Sequence, residues 1–145
     1  MLKVLVVDDS LIMRRNVTKM LEALGHKVIA EAKDGHEALE LYKRAKPDLV
    51  TMDITMPEMD GITAVKELKK IDKEAKIMML TSHGQEEMVI SAIRSGASGY
   101  LLKPINVMKV RDGIRKVFPE IADEREIGDN SHESLESDEI IVPDI

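Results

Sequence analysis

Residues 48–61 read DLVTMDITMPEMDG. An apolar run, Leu49-Val50 with Met52, ends on Asp53, and Met56-Pro57 then breaks the chain. A short aliphatic and β-branched run closed by such a breaker reads as a buried strand. A carboxylate at its end is costly to bury unless a partner compensates the charge. Both the fold and the chemistry turn on what stands around Asp53.

Working outward, the same kind of run recurs at KVLVV (3–7), KVIAEA (27–32), KIMML (76–80) and GYLL (99–102), with DLVTM (48–52) between them. The intervening segments carry apolar residues at three- and four-residue steps, the spacing of one helix face. Met13, Val17, Met20, Leu21 and Leu24 mark a helix over 11–24, with Gly25 just past its end. Ala38, Leu41, Tyr42 and Ala45 mark a second, ended before Pro47, and Ile62, Val65, Leu68 and Ile71 a third. Val89, Ala92 and Ile93 mark a fourth, ended at Gly96, and Val107, Val110, Ile114 and Val117 a fifth, with Pro119 as its stop. Gly113 weakens that last helix by about 1 kcal/mol relative to Ala. Five strands each followed by a helix imply a parallel sheet covered on both faces, an α/β doubly wound fold. The runs are near-continuously apolar, as a doubly covered sheet requires. Ligands of such folds sit at the carboxyl ends of the strands.

The totals restrict the function. At 145 residues the chain is one domain by size, able to bury about two-thirds of its unfolded surface. It has no cysteine, hence no disulfide and no thiolate metal site. The N-terminus reaches an acidic pair by residue 8, too early for a signal peptide. No apolar run approaches the ~20 residues of a membrane span, and the expectation is a cytoplasmic protein. The net charge of −6 divides unevenly: residues 1–119 hold 20 Lys/Arg against 17 Asp/Glu, and residues 120–145 one Arg against 10 Asp/Glu. A +3 domain with 2% aromatic residues and no basic cluster is a poor nucleic-acid binder.

The strand ends are polar throughout. Strand 1 leads into Asp8-Asp9, strand 3 into Asp53, strand 4 into Thr81-Ser82 and strand 5 into Lys103-Pro104. Taken singly, each has an ordinary explanation: Asp9 or Ser10 can cap the first helix, and Asp53 can sit in a turn ahead of Pro57. Taken together they place three carboxylates, a hydroxyl and an ammonium on one edge. Carboxylates packed together raise one another's pKa values, and a hard divalent cation relieves the conflict. An aspartate beside such a cation can accept a phosphoryl group. The metal, an ammonium and a hydroxyl would then serve the three phosphoryl oxygens.

Asp8-Asp9, TMDITMPEMDG (51–61), Thr81 and SGASGYLLKP (95–104) together resemble the receiver domain of two-component response regulators, in order across residues 2–118. The resemblance implies a flavodoxin-like (βα)5 fold with strand order 2-1-3-4-5. It implies Asp53 as phosphoacceptor and Mg2+ as cofactor, with Mn2+ as a substitute. The metal would be held by Asp8, Asp9, Asp53 and the Thr55 backbone carbonyl. Thr81 and Lys103 would contact the phosphoryl group, Tyr100 would be the aromatic switch, and the Lys103-Pro104 bond would be cis. Thr55 and His83 would flank the attacking water and set the phosphate lifetime. They differ from the amide and acid that family members often carry there.

The resemblance further implies that Thr81 and Tyr100 remodel the surface of helix 4, strand 5 and helix 5. Met88, Met108, Lys109 and Arg111 are candidate surface positions there, the two methionines being equally readable as core filler. The implied partners are a histidine kinase and a downstream protein, with no nucleic acid or membrane and a monomeric state. With 26 residues left after the domain, the expectation is a stand-alone receiver of the chemotaxis type, acting on the flagellar motor switch and catalysing only its own phosphorylation and dephosphorylation. A phosphorelay intermediate passing phosphate to a histidine phosphotransfer protein stays open, as does a receiver fragment of a larger regulator. An FMN-binding flavodoxin-type protein would need a Ser/Thr/Gly-rich phosphate loop after strand 1 and more aromatic rings. An aspartyl-phosphate phosphatase would need its nucleophile at the end of strand 1. Residues 120–145 read by composition as a disordered acidic tail; alternatively their DEIIVPDI end docks on the domain or on a partner's sheet edge.

Overall fold

The computed structural model describes residues 1–121. Its elements alternate strictly: β1 (Lys3–Val7), α1 (Leu11–Ala23), β2 (Lys27–Ala32), α2 (Gly35–Ala45), β3 (Leu49–Asp53), α3 (Gly61–Ile71), β4 (Ile77–Thr81), α4 (Glu86–Arg94), β5 (Gly99–Leu102) and α5 (Val107–Val117). The strands form one parallel sheet in the order β2-β1-β3-β4-β5. The chain runs outward from β1 to β2 and then returns to β3, so the order reverses between β1 and β3. Such a switch point opens a crevice at the carboxyl edge of the sheet.

Alternate strand residues feed two cores. Leu5, Val7, Val50, Met52, Ile77 and Met79 pack with α2, α3 and α4 through Ala38, Tyr42, Val65, Leu68, Val89 and Ala92. Val4, Val6, Leu49, Met78 and Leu80 pack with α1 and α5 through Val17, Leu21, Val110 and Ile114. Full burial of such side chains stabilises by roughly 1.5–3 kcal/mol each. The three central strands are buried almost throughout, and only the edge strands depart from the doubly covered pattern. In β2 only Ala32 is buried, with Lys27 and Glu31 turned to solvent. An edge so charged resists pairing with another chain.

Strand boundaries moved by one residue at the polar ends. β3 runs through Asp53, which pairs with Leu80, and β4 runs through Thr81, which pairs with Leu102. The apolar pattern stops earlier than the backbone ladder because hydrogen bonding does not depend on side-chain polarity. Gly113 also has a positive role. A Cβ there would lie 2.7 Å from Leu101 Cδ2 and 3.0 Å from Met78 Sδ, so its absence lets α5 sit close on the sheet.

Four helices begin with a side-chain cap: Ser10, Asp34, Asp60 and Asn106 accept from Met13, Glu37, Thr63 and Lys109 N–H. Ser10, rather than Asp9, caps α1. Pro119 follows α5 but opens another helical stretch over 119–121, a position where the missing N–H is not needed. Ile121 packs against the α1/α5 core, so packing continues two residues past the expected boundary at 119. The rest of the tail reading lies outside the described residues.

Candidate functional site

Register brings the polar strand ends together. Val7 pairs with Met52, so Asp8 and Asp53 follow side by side on neighbouring strands. Asp53 pairs with Leu80, setting Thr81 one row beyond it, and Thr81 pairs with Leu102, setting Lys103 one row further. Neighbouring strands lie about 4.8 Å apart, within reach of these side chains. Asp8, Asp53 and Thr81 are buried, at 2%, 6% and 2% exposure, whereas Asp9 is open to solvent.

Asp8, Asp9 and Asp53 each offer a carboxylate oxygen within 4.8 Å of the others. The Lys103 ammonium stands 3.2 Å from Asp53 Oδ1. Asp8 Oδ1 accepts from the Ser10 N–H at 2.9 Å, while its Oδ2 is buried without a partner among the described residues. Burial pushes the Asp53 carboxyl above the usual carboxylate range and Asp9 adds repulsion, opposed by Lys103 and the Thr55 N–H. Burial likewise raises Asp8, opposed by the Ser10 N–H and reinforced by Asp53. Three carboxylates against one ammonium leave a formal charge of −2. The donor set is all oxygen, and one buried oxygen lacks any partner. Both properties suit a hard divalent cation such as Mg2+.

The supports of these groups are specific. Arg14 donates to the Asp8 carbonyl at 2.7 Å and to Glu31 at 3.0 Å, tying the loop after β1 to β2. Gly61 N–H donates to the Ile54 carbonyl at 3.0 Å, and a Cβ on Gly61 would stand 2.8 Å from the Asp53 carbonyl oxygen. Only glycine allows α3 to start that close to Asp53. The Lys103–Pro104 peptide is cis. Lys109, expected at the surface, is turned back: its ammonium donates to the Leu102 carbonyl at 3.2 Å and the Pro104 carbonyl at 2.9 Å. It thereby holds the backbone on both sides of Lys103.

Thr55 and His83 are exposed. Tyr100 and Met88 are each half-buried against the core beneath α2, α3 and α4. Met88 is thus packed, whereas Met108 is 47% exposed. The Thr81 hydroxyl is engaged by Gln85, whose Oε1 lies 2.8 Å from it and 2.7 Å from the Ser82 backbone nitrogen. Gln85 was missed because it breaks no apolar pattern. Its signal was Ser82-His83-Gly84-Gln85, the Ser-x-x-Gln spacing of a capping box, in which the Gln reaches back to the Ser N–H.

A family model described as the response regulator receiver domain matches residues 4–115. The chain is 50% identical over 116 residues to the chemotaxis protein CheY of Bacillus subtilis, covering 80% of this chain and 97% of that one. It is 48% identical over 115 residues to the chemotaxis protein CheY of Thermotoga maritima, covering 79% and 96%. Among solved structures it is similar to a chain of the CheX-CheY-BeF3-Mg2+ complex from Borrelia burgdorferi. That match has a TM-score of 0.76 and 37% identity, and covers 80% of this chain and 88% of that one.

Proposed function

The chain belongs to the response regulator receiver domain family, and from that premise we propose that Asp53 is the phosphoacceptor of a stand-alone, CheY-like signalling protein. The observation that carries the reading is the pairing of a buried Asp53 with Lys103 at 3.2 Å beside two further carboxylates. An Asp53 carboxylate oxygen attacks the phosphorus of a phosphohistidine on a kinase. A new P–O bond forms, the P–N bond breaks, and the imidazole leaves with the electron pair and takes a proton from solvent. The central strand aims the carboxylate, and Lys103 neutralises charge on a phosphoryl oxygen. Asp8, Asp9, Asp53 and the Thr55 carbonyl would hold Mg2+, or Mn2+ in its place, which when bound balances the carboxylates and the incoming phosphate.

The phosphate adds roughly −1.5 to −2 charge at neutral pH. Thr81 and Tyr100 transmit it to the surface of α4, β5 and α5, where a downstream protein binds. Similarity to chemotaxis proteins over most of their length supports an output in chemotaxis, with the flagellar motor switch as the class of target. Thr55 and His83, exposed beside the site, govern water access to the phosphoryl group. Among the described residues no helix is long and apolar enough to cross a membrane.

With acetyl phosphate and Mg2+, intact-mass analysis is expected to find one phosphoryl adduct, which does not form when Mg2+ is chelated beforehand and is absent in Asp53→Asn. An adduct that survives in Asp53→Asn, or none in the wild type, overturns the assignment.

A further inference from the structure

Gln85 stands at the start of α4, yet its side chain caps no N–H of that helix, unlike the residues opening the other four. It is folded back over the end of β4. Its Oε1 accepts from the Ser82 N–H at 2.7 Å, and the Gln85 N–H donates to the Ser82 carbonyl at 3.2 Å, closing the turn from both sides. A backbone N–H can only donate, so the amide atom facing it is the oxygen. The Thr81 hydroxyl, 2.8 Å from the same oxygen, must therefore donate its proton there. Its other acceptor, the Ser82 carbonyl, is at 3.5 Å, too long to compete. One amide oxygen thus occupies both donors at the end of β4. A hydroxyl has a single proton, so Thr81 cannot donate to Gln85 and to an oxygen on Asp53 at once.

We propose that Gln85 is a positioning residue that holds the Thr81 hydroxyl out of use in the phosphate-free chain, so that the cost of its release opposes capture of the phosphoryl group. The proposal rests on the phosphoacceptor reading of Asp53. It places part of the cost of switching in a side chain that touches neither metal nor phosphate. Phosphoryl binding at Asp53 then frees Gln85 from the turn, and the start of α4 changes with it.

The test compares wild type, Gln85→Met (similar length, no comparable acceptor) and Gln85→Glu (acceptor retained). Beryllofluoride binding in saturating Mg2+ is followed by 19F NMR, and Ser82 amide hydrogen exchange is measured without metal. Gln85→Met is expected to speed Ser82 exchange and to tighten beryllofluoride binding about three- to tenfold, the size of one or two lost hydrogen bonds. Gln85→Glu is expected to show no gain, and the gain of Gln85→Met to shrink in a Thr81→Val background. A merely structural Gln85 would weaken binding on substitution, or leave it unchanged, whatever stands at 81. Unchanged or weaker binding by a folded Gln85→Met overturns the proposal alone. A wild type that binds no beryllofluoride overturns the phosphoacceptor reading as well.

Discussion

Two buried carboxyls whose pKa values are raised in the folded chain make the site unfavourable to its own fold. For Asp8 and Asp53, burial keeps protons on the folded protein at pH values where the unfolded chain has released them. Between the ordinary aspartate value of 3.8 and their raised values, the folded state binds more protons. Stability contributed by these groups therefore falls as pH rises through that window and stays low above it. In thermal melts with chelator, Asp8→Asn is expected to gain on wild type across that window. A difference that does not vary with pH would contradict this. At neutral pH, Mg2+ at ~100 times its Kd is expected to restore about 2.7 kcal/mol, and much less once the ligands are protonated. The residues of this cluster were legible in the sequence because each follows an apolar run. Gln85 was not, since its contact depends on a turn rather than on periodicity.

At the scale of elements, two glycines set how closely helices approach the sheet, and they differ in what they face. A Cβ on Gly61 would meet backbone, the Asp53 carbonyl oxygen at 2.8 Å and Ile54 Cα at 2.9 Å. One on Gly113 would meet the ends of the Leu101 and Met78 side chains. Gly61→Ala is therefore expected to cost about 1–3 kcal/mol, as overpacking does, and to slow phosphoryl uptake by shifting Asp53. Gly113→Ala is expected to lie within about 1 kcal/mol of wild type, because helix propensity improves by that much. Urea titrations of both decide, and a Gly113→Ala that is the more damaging would refute the distinction. The helical periods were readable from Met13 to Val117, and Gly113 read only as a weakness. Its benefit depends on β5 lying beneath it, a relation between distant segments that no local pattern carries. The same holds for Lys109, whose partners are the carbonyls of Leu102 and Pro104.

Across the whole molecule, the site joins parts of unequal firmness. β3 is buried along its full length and paired on both sides, and it carries the proposed phosphoacceptor. α4 has nine residues against eleven or more in α1, α2, α3 and α5, and no side-chain cap of its own. The doubly covered parallel sheet was legible because alternating strands and helices admit few topologies, whereas its strand order came through the family resemblance. The partial exposure of β2 likewise follows from its edge place in that order and not from the run KVIAEA taken alone. Native-state hydrogen exchange is expected to release the β3 amides only with global unfolding, and those of α4 through smaller openings. Equal exchange free energies in β3 and α4 would contradict it. On that expectation the proposed attachment point and the helix proposed to report it would answer to separate free energies. A message would then be written on the part of the molecule that opens last and read from the part that opens first, many times within the life of one folded chain.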